Sequence, residues 1–185
     1  MPSRKAVASA RIHGFPPIEN PAARILVLGS MPGEASLRAG QYYAHPQNVF
    51  WKIAGEVFGA CVPADVSGGD LREAPYSTRL AVLATAGIAL WDVIASCHRE
   101  GSLDADIARD TLVANDFAGF FATHVRIERV LFNGAQAEAS FRRHVAPTLG
   151  LSGIAFVKMP STSPANASIP YARKLALWRE ALAPG

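Results

Sequence analysis

A glycine-rich turn and a scatter of carboxamide, hydroxyl and aromatic groups give this chain the means to hold a flat, polar molecule. Ile25-Leu-Val-Leu28 is an unbroken apolar run, and the chain leaves it through Gly29-Ser30-Met31-Pro32-Gly33. Two glycines permit a sharp turn with close backbone approach to a ligand, and Pro32 stiffens it. Tyr42, Tyr43, His45 and Asn48 follow within reach, then Phe50 and Trp51. Further along stand Asp92, the pair Asn133-Gly134, and the stretch Ser161-Thr162-Ser163-Pro164-Ala165-Asn166. A ring can stack on a flat ligand, an amide can read a polar edge or hold a water, and hydroxyls can donate to an anion.

Each group also has an ordinary explanation. Asn-Gly is a common turn, Asp92 can cap one, and aromatics such as Tyr43, Phe50 and Trp51 are most often core. His45 precedes Pro46, which favours a structural role, although its place in the loop keeps a chemical one open. His98, His124 and His144 read as surface or helix-end histidines. Several chemistries are set aside by pattern. The first loop lacks Gly-x-Gly-x-x-Gly spacing, and no Gly-Lys-Ser/Thr follows it. There is no His-Glu-x-x-His, no Gly-x-Ser-x-Gly, and no evident carboxylate pair, Glu34 and Asp92 being the main acids of the loops.

The elements that must position these groups alternate. Residues 25–29 read as a strand buried on both faces, the mark of a parallel sheet, 87–91 as a second buried strand, and 127–132 and 154–159 as the third and fourth strands. Residues 48–58, 76–86 (with Leu80, Leu83 and Ala84 on one face), 115–123, 135–144 and 170–182 read as helices. Asn115 is the expected N-cap of the third, and Pro170 suits the start of the last. A flexible loop covers roughly 60–75, around Val66-Ser-Gly-Gly-Asp70, and polar loops follow Gly29 and Asp92. The order predicts a three-layer α/β/α sandwich around a four-stranded, mainly parallel sheet. In such a sheet the strand ends share one edge, so Gly29–Asn48, Asp92–Ser102, Asn133-Gly134 and Ser161–Ser168 converge there.

Composition narrows the class. The chain has 185 residues, half of them hydrophobic, which suits one domain over 14–185 behind a loose, flexible extension at 1–13. No apolar run approaches the roughly 20 residues of a membrane-spanning helix, and Ala6–Ala10 is too short for a signal peptide. Cys61 and Cys97 form no Cys-x-x-Cys pair and are expected to be reduced thiols, with a disulfide left open. A net charge of +3 and a pI near 9.1 permit a nucleic-acid partner without demanding one.

Five blocks, Gly29-Ser-Met-Pro-Gly33, Tyr42-Tyr-Ala-His-Pro-Gln-Asn-Val-Phe-Trp51, Leu90-Trp-Asp-Val93, Phe132-Asn-Gly134 and Pro160-Ser-Thr-Ser-Pro-Ala-Asn166, stand in an order that resembles the uracil-DNA glycosylase superfamily. The resemblance covers roughly residues 12–182 and is nearest the hypoxanthine-DNA (deoxyinosine) glycosylase branch, family 6. It implies a monofunctional glycosylase that flips a deaminated base out of DNA and hydrolyses its glycosidic bond, hypoxanthine first, with uracil or xanthine also open. No lysine near the pocket suggests a Schiff base.

The mismatch-specific uracil/thymine branch carries a catalytic Asn in its first loop, where this chain has Met31. The resemblance therefore moves the water-positioning role to Asn48, unless Asn48 only caps the helix it begins. It makes Tyr43 the stacking platform, Ser30 and Met31 the source of backbone donors to the base, and Asp92, ahead of Asn133, the reader of its polar edge. The Ser161–Ser168 loop would enter the minor groove, with Ser161, Thr162 and Ser163 on phosphates. Ala165 and Asn166, or else Ile169, would serve as wedge. Lys52, Arg142 and Arg143 are candidate phosphate contacts. No cofactor or metal is called for. The partner is damaged DNA, with no membrane, no obligate protein partner, a monomeric state and a cytoplasmic location. A mismatch-specific uracil/thymine enzyme, a lesion-binding protein without activity and a small-molecule α/β hydrolase stay open as alternatives.

Overall fold

The computed structural model of the protein describes residues 11–64, 66, 69–99, 107–150 and 152–183. In chain order the elements are β1 (Arg11–His13), β2 (Ile25–Gly29), α1 (Glu34–Ala39), α2 (Phe50–Val57), α3 (Tyr76–Thr85), β3 (Ile88–Asp92), β4 (Ile94–His98), β5 (Val113–Ala114), α4 (Phe117–Thr123), β6 (Arg129–Asn133), α5 (Ala135–His144), β7 (Ala155–Met159) and α6 (Tyr171–Leu182). Strands β3-β2-β6-β7 form a parallel sheet in that order, the central layer of an α/β/α sandwich.

Continuous apolar runs make the central strands. Every residue of β2 and of β3 is buried, which a strand tolerates only where both faces are covered. β3 is an edge strand by order, yet its free side is closed by Ile18, which exchanges two backbone hydrogen bonds with Leu90. β7, at the other edge, is largely exposed. Aromatic contacts join the layers. Trp91 meets Phe117 and Phe120 of α4, Phe117 meets Phe141 of α5, and Phe141 meets Phe132 on β6. Phe50 of α2 packs edge-on against Trp178 of α6. Burying side chains of this size contributes roughly 1.5–3 kcal/mol each.

Register decides where function can sit. Gly29 pairs with Asp92 and Asn133 with Met159, so all four strands end level on the carboxyl edge.

Several expectations are corrected. Ile94–His98 is a strand rather than loop, and it pairs antiparallel with β1 and β5 in a second, three-stranded sheet. Arg11–His13 therefore belongs to the fold and not to a loose extension; residues 1–10 lie outside the described residues, as do Ser67, Gly68 and Glu100–Ser102 of two expected loops. Residues 34–39, expected as a polar connection, form the short helix α1. The cap of α4 is Asp116, one residue beyond the expected Asn115, and its Oδ1 accepts the Gly119 N–H. Asn115 instead donates from Nδ2 to the Asp92 carbonyl. On α3 the buried pair is Val82 and Leu83, while Ala84 is exposed. His124 is buried and stacked 4.0 Å from the Phe120 ring. Cys61 and Cys97 are not joined to each other by a disulfide.

Asp116→Ala should cost about 1 kcal/mol by urea unfolding and speed amide exchange at Gly119. Faster exchange at Gly119 in Asn115→Ala instead would return the cap to Asn115.

Candidate active site

The level strand ends open onto a cleft of about 730 Å³. That lies inside the range, roughly 300–1,000 Å³, of sites that take small organic molecules. All the candidate residues line it: Gly29, Ser30, Met31, Tyr43, His45, Asn48, Asp92, Asn133, and Ser161 through Asn166.

The floor is built by an absent side chain. A Cβ added to Gly29 would fall 2.2 Å from Asp92 Oδ1 and 3.1 Å from the Tyr43 hydroxyl. Only glycine lets a carboxylate and a phenol close over the end of the central strand. Asp92 is 2% exposed, held from behind by Asn115. Its charge adds to burial in pushing the Tyr42 hydroxyl well above the usual tyrosine range, so Tyr42 stays neutral and donates to the Pro16 carbonyl.

Met31 does not present its side chain as a polar group. It is buried, and the Cys97 thiol lies against its sulfur at 3.1 Å. The first loop thus offers the cleft its backbone. Behind it, Arg99 is 4% exposed and donates from Nη2 to the Pro32 carbonyl at 2.6 Å. Arg99 falls within the expected polar loop Asp92–Ser102, and no sequence signal separates such an arginine from a solvated one.

The segment from Tyr42 to Asn48 is fastened along its length. Tyr42 N–H donates to the Tyr76 hydroxyl, the Trp51 indole donates to the Tyr42 carbonyl, and Ala44 N–H donates to Ser36 Oγ. Tyr43 adopts φ +54°, a left-handed conformation rare for a bulky residue. Its ring leans on Phe50 at 4.5 Å. His45 is exposed and its Nδ1 accepts the Gln47 N–H, so the ring braces its own turn.

Asn48 is 8% exposed, and its Oδ1 accepts the Phe50 N–H at 3.0 Å. The N-cap position of α2 is Val49, which has no side-chain acceptor to offer. Asn48 therefore satisfies an otherwise unpaired donor of the helix start and also faces the cleft. The capping reading and a chemical role coexist in one carboxamide.

On the far loop, Thr162 is buried and both its N–H and hydroxyl engage the Asn133 amide, so Thr162 is not available to a phosphate. Pro164 and Ala165 are exposed at the tip, and Asn166 braces the loop through Nδ2 to the Ser161 carbonyl. Gly134 adopts φ +105°, and a Cβ there would press on Ser161 Cβ at 3.0 Å. Lys174, buried and with its pKa lowered by burial, donates to the Asn166 carbonyl at 2.7 Å from behind the loop. The expected phosphate contacts are elsewhere. Lys52 sits over the Tyr171 ring and Arg142 pairs with Glu138, while among the described residues the lysine or arginine lining the cleft is the exposed Arg38 of α1. Arg38 stands on a helix that the apolar pattern of the sequence does not predict. Glu34 in the first turn and Gly40 after the last are the signals that mark that helix.

A family model described as the uracil DNA glycosylase superfamily matches residues 16–182. The chain is 37% identical over 124 residues to a hypoxanthine DNA glycosylase of Methanosarcina barkeri, covering 67% of this chain and 72% of the relative. It is 33% identical over 153 residues to a hypoxanthine DNA glycosylase of Methanosarcina acetivorans, covering 83% and 87%. The solution NMR structure of a proposed uracil DNA glycosylase from Methanosarcina acetivorans superposes with a TM-score of 0.72 at 30% identity, covering 94% of this chain and 97% of that one.

Gly29→Ala should destabilise the protein by roughly 1–3 kcal/mol, because either the Asp92 carboxylate or the strand end must move. The cost should shrink in an Asp92→Ala background, read as a double-mutant cycle of melting curves; an equal cost in both backgrounds would refute the close approach.

Proposed function

The chain belongs to the uracil DNA glycosylase superfamily and is a DNA glycosylase for deaminated bases; from that premise we propose that its first substrate is hypoxanthine, hydrolysed from DNA with Asn48 steering the attacking water. The observation that carries the reading is the Asn48 carboxamide, locked by the Phe50 N–H on the wall of the cleft whose floor is the Gly29–Asp92–Tyr43 corner. Both curated relatives described above are hypoxanthine enzymes by name.

The mechanism follows from what each group can do. A base inside a duplex is unreachable, so the nucleotide is rotated into the cleft, and a mispaired deaminated base costs least to extrude. The base lies against Tyr43, whose ring is backed by Phe50. Backbone N–H groups of Ser30 and Met31 donate to its carbonyl oxygen, and the Asp92 carboxylate accepts a ring N–H. As the C1′–N bond breaks, its electron pair stays with the base and the sugar becomes an oxocarbenium-like cation. Donors fixed in a dry cleft stabilise the charge that develops on the base. A water then bonds to C1′ and releases a proton to the departing base or to solvent. A carboxamide is no base, so Asn48 orients that water and does not deprotonate it. With Oδ1 held by Phe50, it needs no rearrangement to do so.

The exposed tip of the Ser161–Asn166 loop enters the groove beside the extruded nucleotide, and Ser161 and Ser163 position the backbone without reading sequence. We place Arg38 on a neighbouring phosphate in preference to Lys52, Arg142 and Arg143. The protein acts as one intracellular domain, a monomer with damaged DNA as its partner.

Duplexes carrying inosine, uracil or xanthine, treated with alkali after incubation, should break fastest at inosine. Cleavage at uracil with none at inosine would defeat the substrate assignment. Asn48→Ala should slow single-turnover excision roughly 100-fold with DNA affinity little changed. Asn48→Asp, which keeps an acceptor for the Phe50 N–H, should fold as well as the parent; a wild-type rate in Asn48→Ala would return the residue to capping alone. Arg38→Ala should flatten the slope of log affinity against log salt by about one unit, and an unchanged slope would remove Arg38 from the backbone contact.

A further inference from the structure

The two loops that flank the cleft are joined by a backbone hydrogen bond at Thr162, and a side chain from a third element clamps that residue. Asn133, the last residue of β6, donates from Nδ2 to Thr162 Oγ1 at 2.8 Å and accepts the Thr162 N–H on Oδ1 at 2.8 Å. A single carboxamide thereby clamps Thr162 at two points, and Thr162 is 1% exposed. The Thr162 carbonyl accepts the Val49 N–H at 3.1 Å. Val49 is the residue between Asn48 and Phe50, and the Asn48 carboxamide is itself held by the Phe50 N–H. The start of α2 has no side-chain cap at Val49, so two acceptors fix it: Asn48 from its own chain segment and Thr162 from across the cleft.

We propose that Asn133 and Thr162 are positioning residues that make the seating of the Ser161–Asn166 loop and the aim of the Asn48 carboxamide one mechanical unit. The proposal rests on the water-steering role of Asn48. Asn133 is anchored in the parallel sheet, where Gly134 N–H also reaches the Met159 carbonyl, so the clamp has a rigid base. Gly134 has no Cβ to hold Ser161 away, and the loop can close down on the clamp. A half-buried amide whose donor and acceptor are both used locks one geometry, whereas an apolar residue at 133 would leave the Thr162 N–H without its partner. Pressure of DNA on the exposed loop tip is then carried through Thr162 to Val49 and so to the carboxamide beside it. Asn133 contributes to the reaction through Asn48 and does not read the base.

Single-turnover excision of inosine from a duplex by the full-length protein tests this, using wild type, Asn48→Ala, Asn133→Ala and the double variant, with Thr162→Val and Thr162→Ser alongside. Asn133→Ala should slow excision roughly tenfold or more in the wild-type background and less than about twofold in the Asn48→Ala background, because a lost aim is already lost. Thr162→Val, which removes the hydroxyl, should resemble Asn133→Ala, and Thr162→Ser, which keeps it, should restore most of the rate. Duplex affinity should hold throughout. An equal loss in both backgrounds, or Thr162→Val matching Thr162→Ser, would overturn the proposal. If Asn133→Ala fails to fold, the Val and Ser variants at Thr162 decide. Failure of the premise looks different: a wild type inert on inosine, or Asn48→Ala as fast as wild type.

Discussion

The structure depends on four parallel strands ending level. Strand register is discrete, and a slip of one residue would turn each side chain to the opposite face. With Gly29 beside Asp92 and Asn133 beside Met159, four chemically different residues reach one edge from positions far apart in the chain. The buried alternation of Leu26 and Leu28 with Val27, and of their partners on β3 and β6, enforces that register from within the core. The active-site geometry is thus set by hydrophobic packing at a distance from it. The glycine that ends β2 converts this alignment into a cleft floor, because any Cβ there would meet the Asp92 carboxylate.

Around this edge the buried polar groups work as fasteners between loops. Arg99 holds the Pro32 carbonyl, Lys174 holds that of Asn166, and Ser36 Oγ receives the Ala44 N–H. Burying such groups without partners costs several kcal/mol, and with partners it yields a specific geometry in place of raw stability. Loops are where proteins usually tolerate motion. In this cleft each loop is instead tied to another loop or to a strand end, which suits chemistry that needs aimed donors more than a reactive nucleophile.

Much of this was legible in the residues. Ile25–Leu28 and Ile88–Trp91 are buried runs that announce parallel strands, and the polar residues that follow them mark the edge where a site forms. The second sheet was not legible. Its strands are short, β4 is broken up by Ala95 and Ser96, and its pairing is remote: Arg11 reaches Ser96 across 85 positions. Nothing local encodes such a contact. The cap of α4 missed by one residue because Asn115 and Asp116 are equally good acceptors in sequence, and only the chain direction into the helix chooses between them. Thr162 read as a phosphate donor because a hydroxyl in a Ser-rich stretch usually meets solvent; Asn133, 29 positions away, claims it. Arg99 lies within an expected polar loop, and nothing local marks it as buried.

On the proposed reading, the departure at Met31 moves a function without moving its scaffold. With its side chain turned into the core against Cys97, this position leaves the first loop able to donate only through its backbone. The proposed carboxamide then has to come from another segment that reaches the same cleft, and the start of α2 is well suited to supply it. A helix start leaves N–H groups unpaired, so an Asn placed just before it finds an acceptor role that orders its side chain. An exposed Asn on a loop would lose rotamer entropy at the moment of reaction. Asn48 loses it on folding, through the Phe50 N–H. Structural capping is therefore the means by which this carboxamide is preorganised, and a helix cap facing a cleft is itself a reason to look for chemistry there.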